Sequence, residues 1–336
     1  MLSLSQQREL VSQANLAPSV HNTQPARWSF AGDKIEILAD PSTFLTIGDP
    51  SLRDAGLSRG AALEGTVIAL KSMGFDVVKT EDRWSEAEFR NDLRVSSILT
   101  VNAGEVEKDP LVSFITERFT WRGKFEPVSG DVKTSLEAWG QDRSDVYLVD
   151  GESEIKYLAK VNDLASLDFF ADRLYREELL SFMRLSKKHP KYSTDGLNRE
   201  AMQMSKLEAF AAGPVLKYPM FEIMHKIKLG GALVSESAKT NSASGVVLFL
   251  ADATASATEM GQSFYRRWLE LTRLGLAAWP MAVIADNPNT NQEISERYGI
   301  KDKLLINAWR VGGLPDGAKL APARVDVDDL IVTNIN

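Results

Sequence analysis

No cysteine occurs anywhere in this 336-residue chain, which excludes disulfides, thiolate zinc sites, iron–sulfur clusters and a cysteine nucleophile. Histidine is almost as scarce. The three present, His21, His189 and His225, stand far apart and lack a local ligand pattern such as H-E-x-x-H, so no metal site is expected. No apolar run approaches the roughly 18 residues of a spanning helix. The first residues, MLSLSQQRELVSQ, carry no basic stretch followed by an apolar core. The expectation is therefore a cytoplasmic protein with no membrane partner. Positive charge is also in deficit, with 39 Lys plus Arg against 46 Asp plus Glu and a formal net charge of −7. The signs are mixed along the chain and no basic stripe appears, so no nucleic-acid partner is expected. G-x-G-x-x-G after a strand, G-x-x-x-x-G-K-[ST] and G-x-S-x-G are all missing, which removes the usual dinucleotide fingerprint, the P-loop and the hydrolase elbow.

What remains is an ordinary globular composition, 44% hydrophobic and 25% charged, at a length suited to two average domains or one large domain built on a repeated unit. QQRELVSQANL predicts a short helix that Pro18 ends, because a proline pushes its predecessor out of the helical region. APSVHNTQP is then a polar, proline-bounded loop. ARWSF and KIEIL predict two strands joined by a hairpin at Ala31-Gly32-Asp33. GAALEGTVIALKSM, from Gly60 to Met73, is apolar on nearly every face and predicts a buried helix stopped by Gly74. LRVSSILTV predicts a strand. A similar order returns later, with helices from about Val128 to Trp139 and Glu259 to Leu274, and strands at Val146 to Val149 and Val246 to Leu250. Gly60 and Gly74 bracket one long helix with the same spacing as Gly261 and Gly275 bracket the other, so that Leu63, Val67 and Leu70 align with Phe264, Trp268 and Leu271. Any two helices ending in glycine share some of this likeness, but their matching position in each half favours an internal duplication. Residues from about 176 to 240 have no counterpart in the first half and read as an insertion, either a lid or a helical pair that only packs.

Ser19, Asn22 and Gln24 in the polar loop offer donors and acceptors to the edge of a planar heteroaromatic ligand, with Pro18 and Pro25 stiffening the backbone. The pattern A-P-S-x-x-N-x-Q-P over Ala17 to Pro25, followed by an aromatic-bearing strand, resembles the flavin-edge motif of the nitroreductase superfamily, the FMN-dependent NAD(P)H oxidoreductases. The family's R-x-[ST]-x-[RK] element normally precedes that motif. Here the first sixteen residues hold only Arg8, and the element stands instead at Arg118-Phe119-Thr120-Trp121-Arg122. Since family members are homodimers with FMN at the interface, this displacement implies two subunits fused in one chain. The implied fold is α+β and nitroreductase-like, an internally duplicated pseudo-dimer with mixed antiparallel sheets and long central helices. Residues 1–105 would supply the flavin-edge loop. Residues 106–336 would supply the phosphate element and carry the insertion at about 176–240. One FMN per chain follows.

The resemblance further implies a role for each matching position. Pro18, Ser19, Asn22 and Gln24 would lie along the flavin edge. Arg118 and Thr120 would take the phosphate, and Arg122 would lie near flavin N1 and O2, where a cation favours the reduced anion. The closing segment INAWRVGG…LAPARV points to Arg324 as a further phosphate contact, with Lys319 behind it. LAAWPMAV is similar to the strand whose backbone amide faces flavin N5, at Met281 and Ala282. The family's Q-P-W is replaced by Gln24-Pro25-Ala26, with Trp28 two residues on and on the same strand face. His21 falls inside the motif, where a structural hydrogen bond is the expected use. Beyond flavin N5 no catalytic residue is implied. The implied activity is transfer of hydride from NAD(P)H through FMN to a small electron acceptor of nitroaromatic or quinone type, by a monomeric pseudo-dimer. The alternative is a non-catalytic protein that sequesters or stores FMN beneath a lid.

Overall fold

The computed structural model describes residues 1–318 and 323–333. The chain opens with α1 (Leu4–Ala14), started by a capping box in which Ser3 and Gln6 answer each other's backbone amides. The hairpin β1 (Ala26–Ala31) and β2 (Lys34–Ala39) follows, and Gly32 at its turn has φ +66°, the left-handed conformation that suits glycine. Next come α2 (Arg53–Ser72), β3 (Phe75–Asp82), the two-residue β4 (Phe89–Arg90) and β5 (Leu93–Ala103). These strands form one sheet in the order β1-β2-β5-β3, with β4 also on β5.

The pattern repeats after α3 (Gly130–Gln141) and β6 (Val146–Val149). A long connection carries α4 (Glu152–Ala171), α5 (Arg173–Phe182), the short parallel pair β7 (Met183–Arg184) and β8 (Leu197–Asn198), then α6 (Lys206–Leu216), α7 (Met220–Lys226), α8 (Gly230–Val234) and α9 (Ser237–Thr240). The chain then resumes with β9 (Gly245–Asp252), α10 (Ala257–Arg273), β10 (Ala277–Pro280), α11 (Ala282–Asp286), α12 (Pro288–Arg297), β11 (Lys303–Gly312) and α13 (Val327–Leu330). The second sheet runs β6-β9-β11-β10. In both sheets every strand pairing is antiparallel. The two-residue β4 apart, two strands, a long helix and two more strands thus occur twice in chain order, and twice they assemble with the last strand beside the second.

The two long helices are packed on each other. A Cβ on Gly60 would lie 2.1 Å from the carbonyl oxygen of Thr258 and 2.8 Å from Cα of Gly261; one on Gly261 would lie 2.3 Å from the Leu57 carbonyl oxygen and 2.8 Å from Cα of Gly60. Only glycine permits this approach. The residues in contact are the ones that the repeat aligns, and a residue touching its own counterpart is the mark of a local two-fold axis. Beyond the axis each helix covers its own sheet: Leu63 and Leu70 join the first core with Trp28 and Ile37, while Phe264, Trp268 and Leu271 join the second with Phe249 and Trp309. Complete burial of such side chains stabilises the fold by about 1.5–3 kcal/mol each.

α2 begins seven residues before the helix read from sequence, at Arg53. Leu52 turns left-handed there, and the Asp49 carboxylate accepts from the amide of Ala55 at 2.8 Å. Asp49 precedes a proline in a turn, yet its carboxylate caps the helix. Strand β6 falls where the sequence placed it, and the other repeat elements shift by a few residues at most. The segment without a counterpart is longer than 176–240, because everything between β6 and β9 replaces a two-residue hairpin turn. Lastly, the C-terminal segment crosses back. Leu330 joins the first core, and Val332 donates from its amide to the Trp28 carbonyl at 2.8 Å.

Candidate functional site

The loop before β1 is held in an unusual backbone shape. His21, Asn22 and Gln24 have φ of +46°, +57° and +51°, a concentration of left-handed non-glycine residues that persists only where the surroundings fix it. The fixings are visible. Ser19 Oγ accepts from the Gln24 amide at 3.0 Å, Asn22 Nδ2 donates to the Ala323 carbonyl at 3.0 Å, and Ser58 of α2 receives the Val20 amide at 3.1 Å. The loop thereby forms one wall of a cavity of about 770 Å³, a volume in the range of small-molecule and cofactor sites.

Pro18, Ser19 and Asn22 reach this cavity from the loop, Arg118, Thr120 and Arg122 from the segment before α3, Met281 and Ala282 from the end of β10, and Arg324 from the C-terminal segment. The fold therefore gathers residues separated by up to the whole length of the chain. Gln24 does not join them. Its side chain is buried beneath the loop, where Nε2 donates to the Thr194 carbonyl at 2.8 Å and Oε1 accepts from Asn15 at 3.0 Å and from the Val325 amide at 2.9 Å. With these partners it braces the loop, a correction to the flavin-edge role expected for it. Met281 needs a partial correction as well. Its amide donates to the Ala308 carbonyl at 2.7 Å and its side chain is in the core, so this amide has its acceptor already. Ala282 opens α11, a position whose N–H has no acceptor within its helix. Trp28 is fully buried and donates to Thr66 Oγ1 at 3.0 Å, a packing role. Lys319 lies outside the described residues.

Two guanidinium groups stand out. Arg118 Nη2 donates to the Leu16 carbonyl at 2.8 Å, and Arg324 Nη2 to the same oxygen at 3.2 Å. Arg118 also lies over the Trp268 ring, 4.7 Å from its centroid. Arg118 Nε and Nη1 and Arg324 Nε are buried without a hydrogen-bond partner, and neither arginine forms an ion pair among the described residues. Burial, and then the charge of Arg118, pulls Arg324 down to about 9; burial pulls Arg118 down too. Guanidinium remains charged at neutral pH nonetheless. Adjacent cations, Arg118 buried and Arg324 half-buried with its Nε enclosed, have the chemistry to receive a dianion such as a phosphate monoester, which is best met by several charge-assisted donors.

A second group of charges lies around Trp279. Arg310 is fully buried with its guanidinium 3.9 Å from the Trp279 ring centroid, and it donates to Glu236 at 2.5 Å. Lys239 stands 5.0 Å from the same ring. Arg122 donates to the Ala201 carbonyl at 3.2 Å and is held down to about 10 by burial, partly opposed by Glu236. His21 is held down to about 4 by burial and then by Arg122, so it is neutral at physiological pH and can give or accept one hydrogen bond. Trp279 belongs to the segment LAAWPMAV, whereas Glu236 and Lys239 come from the long connection between β6 and β9, whose sequence carries no motif that marks them. That connection also supplies much of the cavity's apolar lining, including Phe169, Tyr175, Met204 and Val215.

The corresponding place in the other half differs. A depression there is lined by Asp142, Arg143, Ser144 and Asp145 with the start of α10, and its charges answer one another: Arg143 pairs with Glu270 and Arg267 with Asp145, both at 2.9 Å.

No protein-family profile matches the chain. Over 68 residues it is 41% identical to a protein named as an NAD(P)H nitroreductase in two strains of Mycobacterium tuberculosis, a stretch that covers 20% of this chain and 20% of each relative. The chain thus spans about a fifth of the length of the curated relatives it matches. Among solved structures it is similar to an FMN-dependent nitroreductase from Mycobacterium smegmatis in complex with NADPH, at 18% identity, covering 66% of this chain and 92% of that one with a TM-score of 0.33. A nitroreductase with bound FMN from Bacteroides fragilis gives 12% identity, 68% and 100% coverage, and a TM-score of 0.36. In sequence, over that matched fifth, the chain is similar to nitroreductases.

Proposed function

We propose that this chain is an FMN-dependent NAD(P)H oxidoreductase of nitroreductase type, with one FMN held between two fused halves. The division would fall near residues 105 and 106, with the insertion in the second half. The observation that carries the reading is the pair Arg118, buried, and Arg324, half-buried, with donors unmet and no ion pair among the described residues, at the edge of a cavity walled by the Ala17–Pro25 loop. These two arginines, with Thr120, would take the phosphate. Ser19 and Asn22 would meet the polar edge of the ring, and Pro18 would bear on it. Arg122, backed by Lys239 and Arg310, sets up a positive potential suited to the flavin's carbonyl edge. Ala282 offers a backbone donor, and Met281 shapes the wall beneath it.

When bound, FMN supplies the hydride chemistry at N5, taking it from NAD(P)H and returning it to a small electron-poor acceptor such as a nitroaromatic or a quinone. The protein's part is orientation and electrostatics. His21 is neutral, and its ring lies 6.3 Å from that of Phe182, so its part is to pack the loop against the long connection. The cation cluster around Trp279 raises the affinity of the site for negative charge.

The test is an anaerobic visible spectrum of the protein reconstituted with FMN and mixed separately with NADPH and NADH. Rapid bleaching followed by reoxidation with a nitroaromatic or a quinone is the expected result. Flavin that is bound but bleached only by dithionite would overturn the oxidoreductase reading, and failure to bind FMN would overturn the site.

A further inference from the structure

Helices α6 and α7 are apolar on the side that faces outward as well as on the side that faces in. On α6, Leu207, Phe210 and Pro214 follow at helical spacing on one outer stripe, and Leu207 and Phe210 are 76% and 79% exposed. On α7, Met220, Ile223 and Ile227 repeat the same spacing, with Ile227 59% exposed. Tyr218 and Leu229 extend the patch along the connecting turns and are exposed too. The opposite side of α6 is already used, since Ala211, Ala212, Val215 and Leu216 line the cavity. A helix that is apolar all round belongs in an apolar medium or against a partner, and contiguous exposed apolar surface marks an interaction site.

The charge around the patch tells which partner. Residues 206–229 contain four lysines, Lys206, Lys217, Lys226 and Lys228, against two glutamates, in a chain whose net charge is −7. The glutamates are turned to local use: Glu208 accepts from the Ser205 amide at 2.7 Å, and Glu222 pairs with the buried Arg176. None of the four lysines has an acidic partner among the described residues. In a two-fold contact between copies this patch would face itself and set lysine against lysine. An anionic bilayer offers the complementary combination, negative headgroups for the lysines and hydrocarbon for the stripe.

We infer that the outer face of α6 and α7, with the turn after α7, docks on an anionic lipid surface. Docking of this kind needs no spanning helix, and no helix among the described residues is long and apolar enough to cross a membrane. Since the inner face of α6 roofs the cavity, the docked protein presents that roof to the phase that holds lipid-soluble acceptors, among which long-chain quinones match the proposed chemistry. That consequence rests on the proposed function; docking itself does not.

The experiment is co-sedimentation of the full chain with phosphatidylcholine vesicles with and without phosphatidylglycerol, with no flavin or acceptor added. Partitioning to the anionic vesicles at least about tenfold above the neutral ones, weakening with salt, is expected. Lys226→Glu with Lys228→Glu should lower it by about tenfold or more, and Leu207→Glu with Phe210→Glu should abolish it at an unchanged thermal midpoint, because all four positions are exposed. Equal or absent binding to the two vesicle types would overturn the inference. So would concentration-dependent dimers, seen by light scattering, that Phe210→Glu returns to monomers.

Discussion

A buried cation without a counter-ion destabilises the state that buries it, and Arg118 is so placed, beside the half-buried Arg324. Arg118→Met keeps much of the volume over Trp268 and removes one of the two charges. It should weaken FMN binding by about 1.5–3 kcal/mol, the scale of a charge-assisted contact, while leaving the flavin-free protein as stable as before or more so. Fluorescence titration and urea unfolding read the two effects, and a parallel loss in both would show that Arg118 is structural. His21 makes a second case. Its folded-state value of about 4 lies below its ordinary value of 6.5, so between those limits the unfolded chain binds the extra proton. The stability it contributes is complete above pH 6.5 and is lost as pH falls toward 4. His21→Asn, which tolerates the left-handed backbone, should flatten unfolding free energy against pH in that window; an unaltered slope would reject the assignment.

These residues also show what a sequence discloses. The loop from Ala17 to Pro25 could be read because its chemistry is local: two prolines, two amides and two hydroxyls crowded into nine positions. Arg118 and Arg324 could be placed only through resemblance, since nothing about an isolated arginine tells whether it will be buried without an acid. Gln24 went astray because a polar residue in a polar loop gives no sign of which way it points, and three backbone partners drew it inward. Glu236, Lys239 and Arg310 meet at Trp279 through tertiary folding alone.

Among elements, the crossing of α2 and α10 is the most sharply specified. Gly60→Ala would force a methyl group against backbone atoms at both Thr258 and Gly261, a contact no rotamer can relieve. The expected loss is about 1–3 kcal/mol of stability or more, with weaker FMN binding, because both helices also reach the cavity, through Leu57 and Ser58 and through Phe264 and Trp268. Gly275→Ala is the comparison. Its φ is +77° and nothing lies within 4 Å of the added carbon, so a cost of about 1–2 kcal/mol is expected from backbone conformation alone, with FMN affinity unchanged. Denaturant midpoints and flavin titration on both variants separate them. The equal spacing of these glycines was legible in the sequence as a repeat. The contact of Gly60 with Gly261 was not, because a spacing says that two helices are alike and leaves open whether they touch. The early start of α2 escaped for a different reason, since its cap comes from a carboxylate six residues away from the amide it holds.

At the scale of the molecule, the proposed function would have two halves of similar build provide one receptor for a dianion. Asp145 and Arg267, and Arg143 and Glu270, neutralise each other where the second would be, and Arg8 in the first helix is engaged at the surface with Asp328. Titration with FMN should therefore saturate at one equivalent per chain; two equivalents would show that the second half also binds. The duplication was legible because the order of elements and the glycine spacing of the long helices recur. The reach of the connection between β6 and β9 was less so, since its helices pack on the cavity and carry no repeat to measure them against.

In a homodimer the glycine at the axis is written once in the gene and serves both sides, so any change there strikes both subunits together. Here Gly60 and Gly261 occupy separate codons. Each face of the seam, and each of the two pockets beside it, is free to accumulate its own substitutions, so that selection can refine one pocket while the other drifts into a purely structural part.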